Sequence, residues 1–348
     1  MTESSWKEAR EILLGEDVYL IKGNEIRPFK VVKLSRMRGK FLVYNLSLED
    51  PNVFFANGFL VHNCGRAGRP KYDDFGEAFL MAKKKSDVEK LIDKYVNGIP
   101  ERIYSKIGDR NVLRSIVLSS ISTGYSSNMQ DLMRFFEGSL YAYQVGDVSE
   151  IKENLSKAIR FLLKEKFLER IVRKSNLRAT EFGRRTSELY LDPVSAVIMR
   201  DGLLRIDESK CTSFTLLHLI AHTPDMESVY LRRSDYEWIF DVYDEKKEEI
   251  LFGVDDYEDL DFLLSELKVA SILEDWINEV GEETILLRYD IGSGDLLRMV
   301  ETADWLLYAL KELSKIFRPE MSRESIDKLK MRVKYGVREE LLDLVKIE

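Results

Sequence analysis

Leu60-Val61-His62-Asn63-Cys64-Gly65-Arg66-Ala67-Gly68-Arg69-Pro70 is the stretch at which the chain changes character. Before it, from Asp17 to Val61, short runs such as Val18-Tyr19-Leu20-Ile21 and Phe41-Leu42-Val43-Tyr44 are broken by Gly23, Gly39 and Gly58, the pattern of a small β domain. After it comes one predicted strand, Ala78-Phe79-Leu80-Met81-Ala82, and a basic helix start at Lys83-Lys84-Lys85. From about Arg110 to Tyr190 the text is helical except for a predicted hairpin, Phe167 to Val172 with Leu177 to Thr180, and helices followed by a hairpin suggest a winged helix. From Asp192 onward nearly everything reads as amphipathic helix, including Phe262 to Trp276 and Gly294 to Phe317. No internal repeat or low-complexity linker interrupts it.

A chain of 348 residues is long enough for two or three domains. No apolar run approaches the roughly 20 residues that span a bilayer, and Met1-Thr2-Glu3-Ser4 lacks the basic and apolar regions of a secretory signal, so a cytoplasmic protein is expected. Cys64 and Cys211 are the only cysteines, too few for a disulfide framework. A charged fraction of 33% with only two glutamines, Gln130 and Gln144, points to a hot environment. The net charge of -8 is unevenly spread: residues 1–63 carry +1, 64–100 carry +2, 101–190 carry +5 and 191–348 carry -16. An acidic total therefore does not exclude a local cationic track for nucleic acid.

The left side of the junction, Val43-Tyr44-Asn45-Leu46 followed by Phe54-Phe55-Ala56-Asn57-Gly58-Phe59-Leu60-Val61-His62-Asn63 and Cys64, resembles the C-terminal splicing blocks of an intein. The resemblance implies that the Asn63 side-chain amide closes a succinimide on its own carbonyl and breaks the bond to Cys64. His62 would supply a proton to the departing amine, and Cys64 would be the thiol that accepts the upstream segment. Two positions depart from the usual blocks: Asn45 stands where Asp is common, and Asn52 stands at the block His. The N-terminal splicing block is absent, so slow cleavage after Asn63 is the most this fragment is expected to do.

The right side carries Gly65-Arg66-Ala67-Gly68-Arg69, in which glycines let the backbone approach a nucleotide and guanidinium groups can stabilise charge on a transferred phosphoryl. It resembles the last motif of superfamily 2 helicases, with Arg69 as the arginine finger and Arg66 as a second phosphate or coupling contact. Inteins commonly interrupt a host enzyme at its active site, which makes each half support the other. With Pro70 to Ala78, Leu177-Arg178-Ala179-Thr180-Glu181-Phe182-Gly183 and Leu189-Tyr190-Leu191-Asp192-Pro193, the chain from Cys64 onward resembles archaeal DNA-repair helicases of the Hjm type. That resemblance implies the tail of a second RecA-like α/β domain, a winged helix and a helical ratchet bundle, in that order.

In Gly294 to Trp305, successive 100° steps place Arg298 and Trp305 within about 20° of each other and about two turns apart, with Thr302 on the same face. Leu296, Met299, Ala303, Leu306 and Leu310 form a separate apolar stripe roughly 150° away. From spacing alone, Trp305 either packs against a further helix or stacks on a base beside Arg298. In the resembling helicases the matching positions contact the tracking strand. His218 and His222, four apart, have the spacing of a metal pair, but Leu219 stands where a zincin Glu would be and no third ligand follows, so they read as packing residues and no metal is expected. Trp238 and Trp276 read as core, and Asp255-Asp256-Tyr257-Glu258-Asp259 as a solvated loop. Arg323, Lys328, Lys330, Arg332 and Lys334 suit either a phosphate track or an exposed helix face.

The expected fold is mainly α, with a β-rich intein (Hint) fragment at 1–63, the tail of the RecA-like domain with its helicase motif at 64–100, a winged helix at 101–190, a helical ratchet domain at 191–320 and a last helix opening a truncated helix-loop-helix region at 321–348. The expected role is the C-terminal portion of an ATP-dependent 3′ to 5′ DNA helicase in repair and fork processing, supplying an arginine finger and a helix that grips single strands. No phosphate-cradling Gly-rich loop occurs, so ATP and Mg would be needed by the complete enzyme but are not expected to bind this chain alone. Its expected partners are single-stranded and branched DNA and the absent motor and intein segments. Two competing readings are a winged-helix DNA-binding protein with no motor, and a protein-interaction module.

Overall fold

The computed structural model describes residues 86–95, 102–171, 176–257 and 259–345, together with four short strands nearer the N-terminus. Those strands form two antiparallel hairpins: β1 (Asp17–Lys22) with β2 (Glu25–Lys30), and β3 (Val53–Ala56) with β4 (Phe59–His62). Val53 stands opposite His62 in the second pair. The predicted strand at Ala78–Ala82 and the lysine run after it lie outside the described residues. One helix, α1 (Asp87–Tyr95), follows within the same compact unit, residues 1–103.

Among its described residues the second unit, residues 104–348, is mainly helical as the sequence pattern predicts, with one small hairpin. Its first helices are α2 (Arg110–Ser122), α3 (Met129–Glu137), α4 (Leu140–Val145) and α5 (Val148–Lys164). The starts of α3, α4 and α5 are set by short polar side chains that satisfy free backbone N–H groups: Asn128 accepts from Asp131 N, Ser139 from Ala142 N and Asp147 from Ser149 N. Each helix turns its apolar stripe inward, with Val117, Leu118, Leu132, Phe136, Ile151, Leu155 and Leu162 all buried.

The hairpin follows α5, with β5 (Leu168–Arg170) antiparallel to β6 (Leu177–Ala179). Lys166 takes a positive φ of 66° to turn the chain out of α5. Thr180 then caps α6 (Glu181–Glu188) through Gly183 N and donates its own N–H to the Phe167 carbonyl at 2.9 Å.

A column of rings runs through this junction. Phe161 stacks on Phe167 at 6.3 Å, Phe167 on Phe182 at 4.2 Å, and Phe182 meets Phe317 edge-on at 4.8 Å. Phe317 ends the long helix α12 (Ser293–Phe317), so the column ties the hairpin to that helix.

The remaining helices are α7 (Pro193–Arg205), α8 (Ser213–Ala221), α9 (Asp235–Lys246), α10 (Leu260–Ile277), α11 (Glu282–Tyr289) and α13 (Glu324–Tyr335). Helix α10 is the axle. From Leu263 to Leu273 only Glu266 escapes full burial, because α8, α9, α11 and α13 pack against it. Such a helix is apolar nearly all round, which is why a single-stripe pattern underestimates its burial.

The five candidate phosphate contacts of the C-terminal stretch are occupied within the fold. Arg323 donates to the carbonyls of Pro319 and Arg318, Lys328 pairs with Glu324 at 2.9 Å and Glu339 at 3.0 Å, and Lys330 pairs with Asp304 at 3.0 Å. Arg332 is buried and donates to Ser213 Oγ, the Ile277 carbonyl and Asn278 Oδ1, while the Lys334 ammonium sits over the Tyr335 ring. The stretch braces α13 against α8, α10 and α12.

The predicted solvated loop at 255–259 is likewise more structured than its charge suggests. Asp256 binds Arg205 at 3.1 Å, and Asp259 caps α10. Tyr257 reaches into the interior to His222 at 3.0 Å. Trp238 and Trp276 do pack against the core, the latter donating its indole N–H to the Val333 carbonyl at 2.8 Å.

Gly183 is buried where α6 meets Phe167, the residue before β5, and a Cβ there would collide with the Phe167 carbonyl oxygen, a backbone atom that cannot swing aside. Gly183→Ala is therefore expected to lower unfolding free energy by about 3 kcal/mol, measured by urea denaturation. An unchanged midpoint would show that α6 and the hairpin are not packed this closely.

Candidate nucleic-acid interface

Helix α12 buries its predicted stripe of Leu296, Met299, Ala303, Leu306 and Leu310, and also Val300, Leu307, Ala309 and Leu313. More than one face is therefore covered, because α13 packs along one side while α6, α7 and α8 pack along others. Near the helix start, Arg298 is exposed and Thr302 half-buried. Both line an open cleft of about 370 Å³ whose other walls are the segment Met226–Tyr230 and the turn at Asp290–Ile291.

Arg298 is not idle there. Its guanidinium donates to Asp295 at 2.5 Å and lies 3.7 Å from Glu227 across the cleft. Asp295 in turn accepts the Gly292 N–H at 3.0 Å, which caps α12. A phosphate arriving at Arg298 would exchange with carboxylates that are solvated and weakly held, since exposed ion pairs are worth little.

Trp305 is placed differently. Its indole N–H donates to the Leu189 carbonyl at 3.0 Å, and its half-buried ring packs against the core at the end of α6. Arg298 and Thr302 thus share the cleft, and Trp305 lies one turn farther along the helix, outside the cleft lining.

Of the junction residues, His62 ends β4, while Asn63, Cys64, Arg66 and Arg69 lie outside the described residues. The histidine pair is split by its surroundings. His218 is wholly buried, neither ring nitrogen has a hydrogen-bond partner among the described residues, and burial with His222 nearby pushes it down to about 3, so it stays neutral. His222 stacks on Phe252 at 4.4 Å and shares its Nδ1 with Glu266 and Tyr257, each at 3.0 Å. Among the described residues no cluster of three metal-ligating side chains forms. Burial pushes the Cys211 thiol up to about 11, which leaves it an inert side chain rather than a nucleophile.

The residues that shape the cleft from beneath were not visible as site residues in the sequence. Ser265 and Lys268 sit mid-way along α10, both buried. The Ser265 hydroxyl accepts Val229 N–H at 3.1 Å and donates to the Val229 carbonyl at 2.9 Å. The Lys268 ammonium donates to the Tyr230 carbonyl at 2.9 Å and to Asp235 at 2.6 Å. Burial pushes the Asp235 carboxyl up, but hydrogen bonds from Arg232 and Lys268 outweigh it and hold it well below the usual carboxylate range. The available signal was Ser265 and Lys268, with Glu266 between them, inside a leucine-rich run, Leu263-Leu264-Ser265-Glu266-Leu267-Lys268-Val269-Ala270.

Residues 214–336, which span this bundle from α8 through α13, match the family described as archaeal helicase, domain 4. More particularly, the chain is homologous to the C-terminal region of ATP-dependent DNA helicases named Hel308. That of Thermococcus kodakarensis is 40% identical over 286 residues, 81% of this chain and 25% of the relative. Those of Methanocella arvoryzae and Pyrococcus horikoshii are 38% and 35% identical over 289 and 286 residues, covering 82% and 81% of this chain and 38% and 39% of the relatives. The chain thus spans between a quarter and two fifths of these relatives' length. No helix among the described residues is long and apolar enough to cross a membrane.

Asp235→Ala would leave the buried Lys268 ammonium without its counter-charge, at a cost of about 3–5 kcal/mol. Urea unfolding of the variant is expected to show that loss. A loss below about 1 kcal/mol would mean that the Tyr230 carbonyl and water satisfy the lysine alone.

Proposed function

We propose that this chain supplies the strand-gripping part of an ATP-dependent DNA helicase that moves 3′ to 5′ in repair and fork processing. The observation that carries the reading is the position of Arg298 and Thr302. On a helix that its neighbours cover on several sides, they present a cation and a hydroxyl to an open cleft within the segment that matches archaeal helicase domain 4. Trp305, one turn on and half-buried, is the adjacent stacking surface, its ring plane fixed by the bond to Leu189. The partners are single-stranded and branched DNA. The hairpin β5–β6 after α5 is the wing of a winged helix that touches DNA or braces the motor domains.

Arg69 and Arg66 are the arginine finger and its companion, acting on ATP and Mg held by motor segments of the complete enzyme. The relatives' name, ATP-dependent DNA helicase, and the cationic Gly-Arg loop support this assignment.

Fluorescence anisotropy of labelled single-stranded DNA over a salt series tests the grip. Salt-sensitive binding is expected, weakened about tenfold or more in Arg298→Ala/Trp305→Ala. Arg298→Ala alone is the cleaner variant, since that side chain is 61% exposed and supports no packing. Binding indifferent to both changes overturns the reading, and a preference for duplex favours the motorless winged-helix alternative.

Residues 1–63 are, in this reading, an intein C-terminal fragment in which Asn63 cyclises, His62 protonates the leaving amine and Cys64 begins the product. The splicing-block sequence and the β3–β4 hairpin ending at His62 support it. Intact mass after heating is expected to show a species starting at Cys64 that Asn63→Ala abolishes. Absence of that species, or its persistence in the variant, removes the assignment.

A further inference from the structure

The cleft beside Arg298 has a charge inventory that conflicts with a simple phosphate track. Glu227, Asp290, Asp295 and Glu301 line it against a single guanidinium. A phosphodiester placed inside would meet four carboxylates, and like charges at such separations repel. What the interior suits is the uncharged part of a nucleotide, with the phosphate left at the rim near Arg298.

The wall facing α12 carries an aromatic ring for that purpose. Tyr230 lines the cleft, is 84% exposed, and its hydroxyl makes no hydrogen bond among the described residues. A single exposed tyrosine is ordinary on a protein surface. This one is not loosely placed, because its carbonyl is held by the buried Lys268 ammonium and the preceding Val229 is held at both its N–H and its carbonyl by Ser265. Arg232, two residues on, is locked by Asp235 at 2.8 Å and donates to the Arg288 carbonyl at 2.9 Å. A buried ion pair is a costly way to fix a loop, and here it fixes the backbone that carries a ring with only two side-chain torsions at the mouth of a cleft.

We propose that Tyr230 is a base-stacking residue facing Arg298 and Thr302, and that the cleft it closes accepts one base of a single strand. The carboxylates around it would accept hydrogen bonds from exocyclic amino groups, so cytosine is favoured over thymine, which offers a carbonyl at the same ring position. This deepens the strand-gripping reading and rests on it.

The test is anisotropy of the full chain with labelled oligo(dC) and oligo(dT) at pH 8 over a salt series, for Tyr230→Ala, Tyr230→Phe and Arg298→Ala. Tyr230→Ala is expected to weaken binding about tenfold with the salt slope unchanged, Tyr230→Phe to retain it, and Arg298→Ala to lower the slope by about one. Oligo(dC) is expected to bind several-fold tighter than oligo(dT), a difference that shrinks in Tyr230→Ala. If Arg298→Ala weakens binding while Tyr230→Ala does not, or if Tyr230→Phe loses as much as Tyr230→Ala, the stacking role is overturned and the grip on α12 stands. Equal binding of the two oligonucleotides overturns the base preference. A chain that binds neither overturns the strand-gripping reading itself.

Discussion

The ion pair between Lys268 and Asp235, 2.6 Å apart with both side chains almost wholly out of solvent, is the constraint around which the C-terminal bundle is arranged. Lys268 lies midway along the most enclosed helix, and Asp235 opens α9, so the pair fixes where α9 begins relative to α10. Charges removed from water demand complete coordination. Arg232, the Tyr230 carbonyl and the Trp238 indole N–H at 3.4 Å supply it, and Arg232 also reaches the Arg288 carbonyl. The shape of the cleft is a by-product of that coordination: the loop 226–232 lies where it does because its carbonyls and amides are partners of groups on α10.

Helix α12 shows the opposite allocation. Its twenty-five residues are buried on several sides, and what it leaves exposed near its start is mostly polar or charged, Arg298, Glu301 and the capping Asp295, with Leu297 as the large apolar exception. The long buried portion sets position, and the short open portion turns Arg298, Thr302 and Glu301 to the cleft. Arg185 on α6, bonded to Glu312 at 2.6 Å, and Arg318, which donates to the Leu203 and Ile206 carbonyls at the end of α7, fix it further. A site carried on such an element is held to a narrow geometry by packing that has nothing to do with the ligand.

The helical character, the hairpin after α5 and the apolar stripe of α12 were all legible in the sequence, because each rests on local periodicity. That Arg298 and Thr302 share one face of α12 was legible for the same reason. Tyr230 was not, since an isolated aromatic in a loop has no period, and its meaning comes from Ser265 and Lys268 some thirty-five residues later. Trp305 was half legible: helical spacing put it across from the core stripe, but a second packed face and the Leu189 carbonyl are tertiary facts. The basic C-terminal stretch misled for a related reason. A run of lysines and arginines reads as a surface until the carboxylates and carbonyls that absorb it, on α10, α12 and the segment after α13, are known.

The ring column Phe161–Phe167–Phe182–Phe317 has a mechanical consequence. Stacked aromatic rings in a close-packed interior transmit displacement with little compression. Helix α12 therefore cannot slide along its axis without carrying α6 and the hairpin with it. The end of α12 that faces the cleft and the end that meets Phe182 behave as two arms of one stiff lever, about 37 Å long for twenty-five residues at 1.5 Å each. A displacement of one arm is passed to the hairpin as movement, with little local deformation.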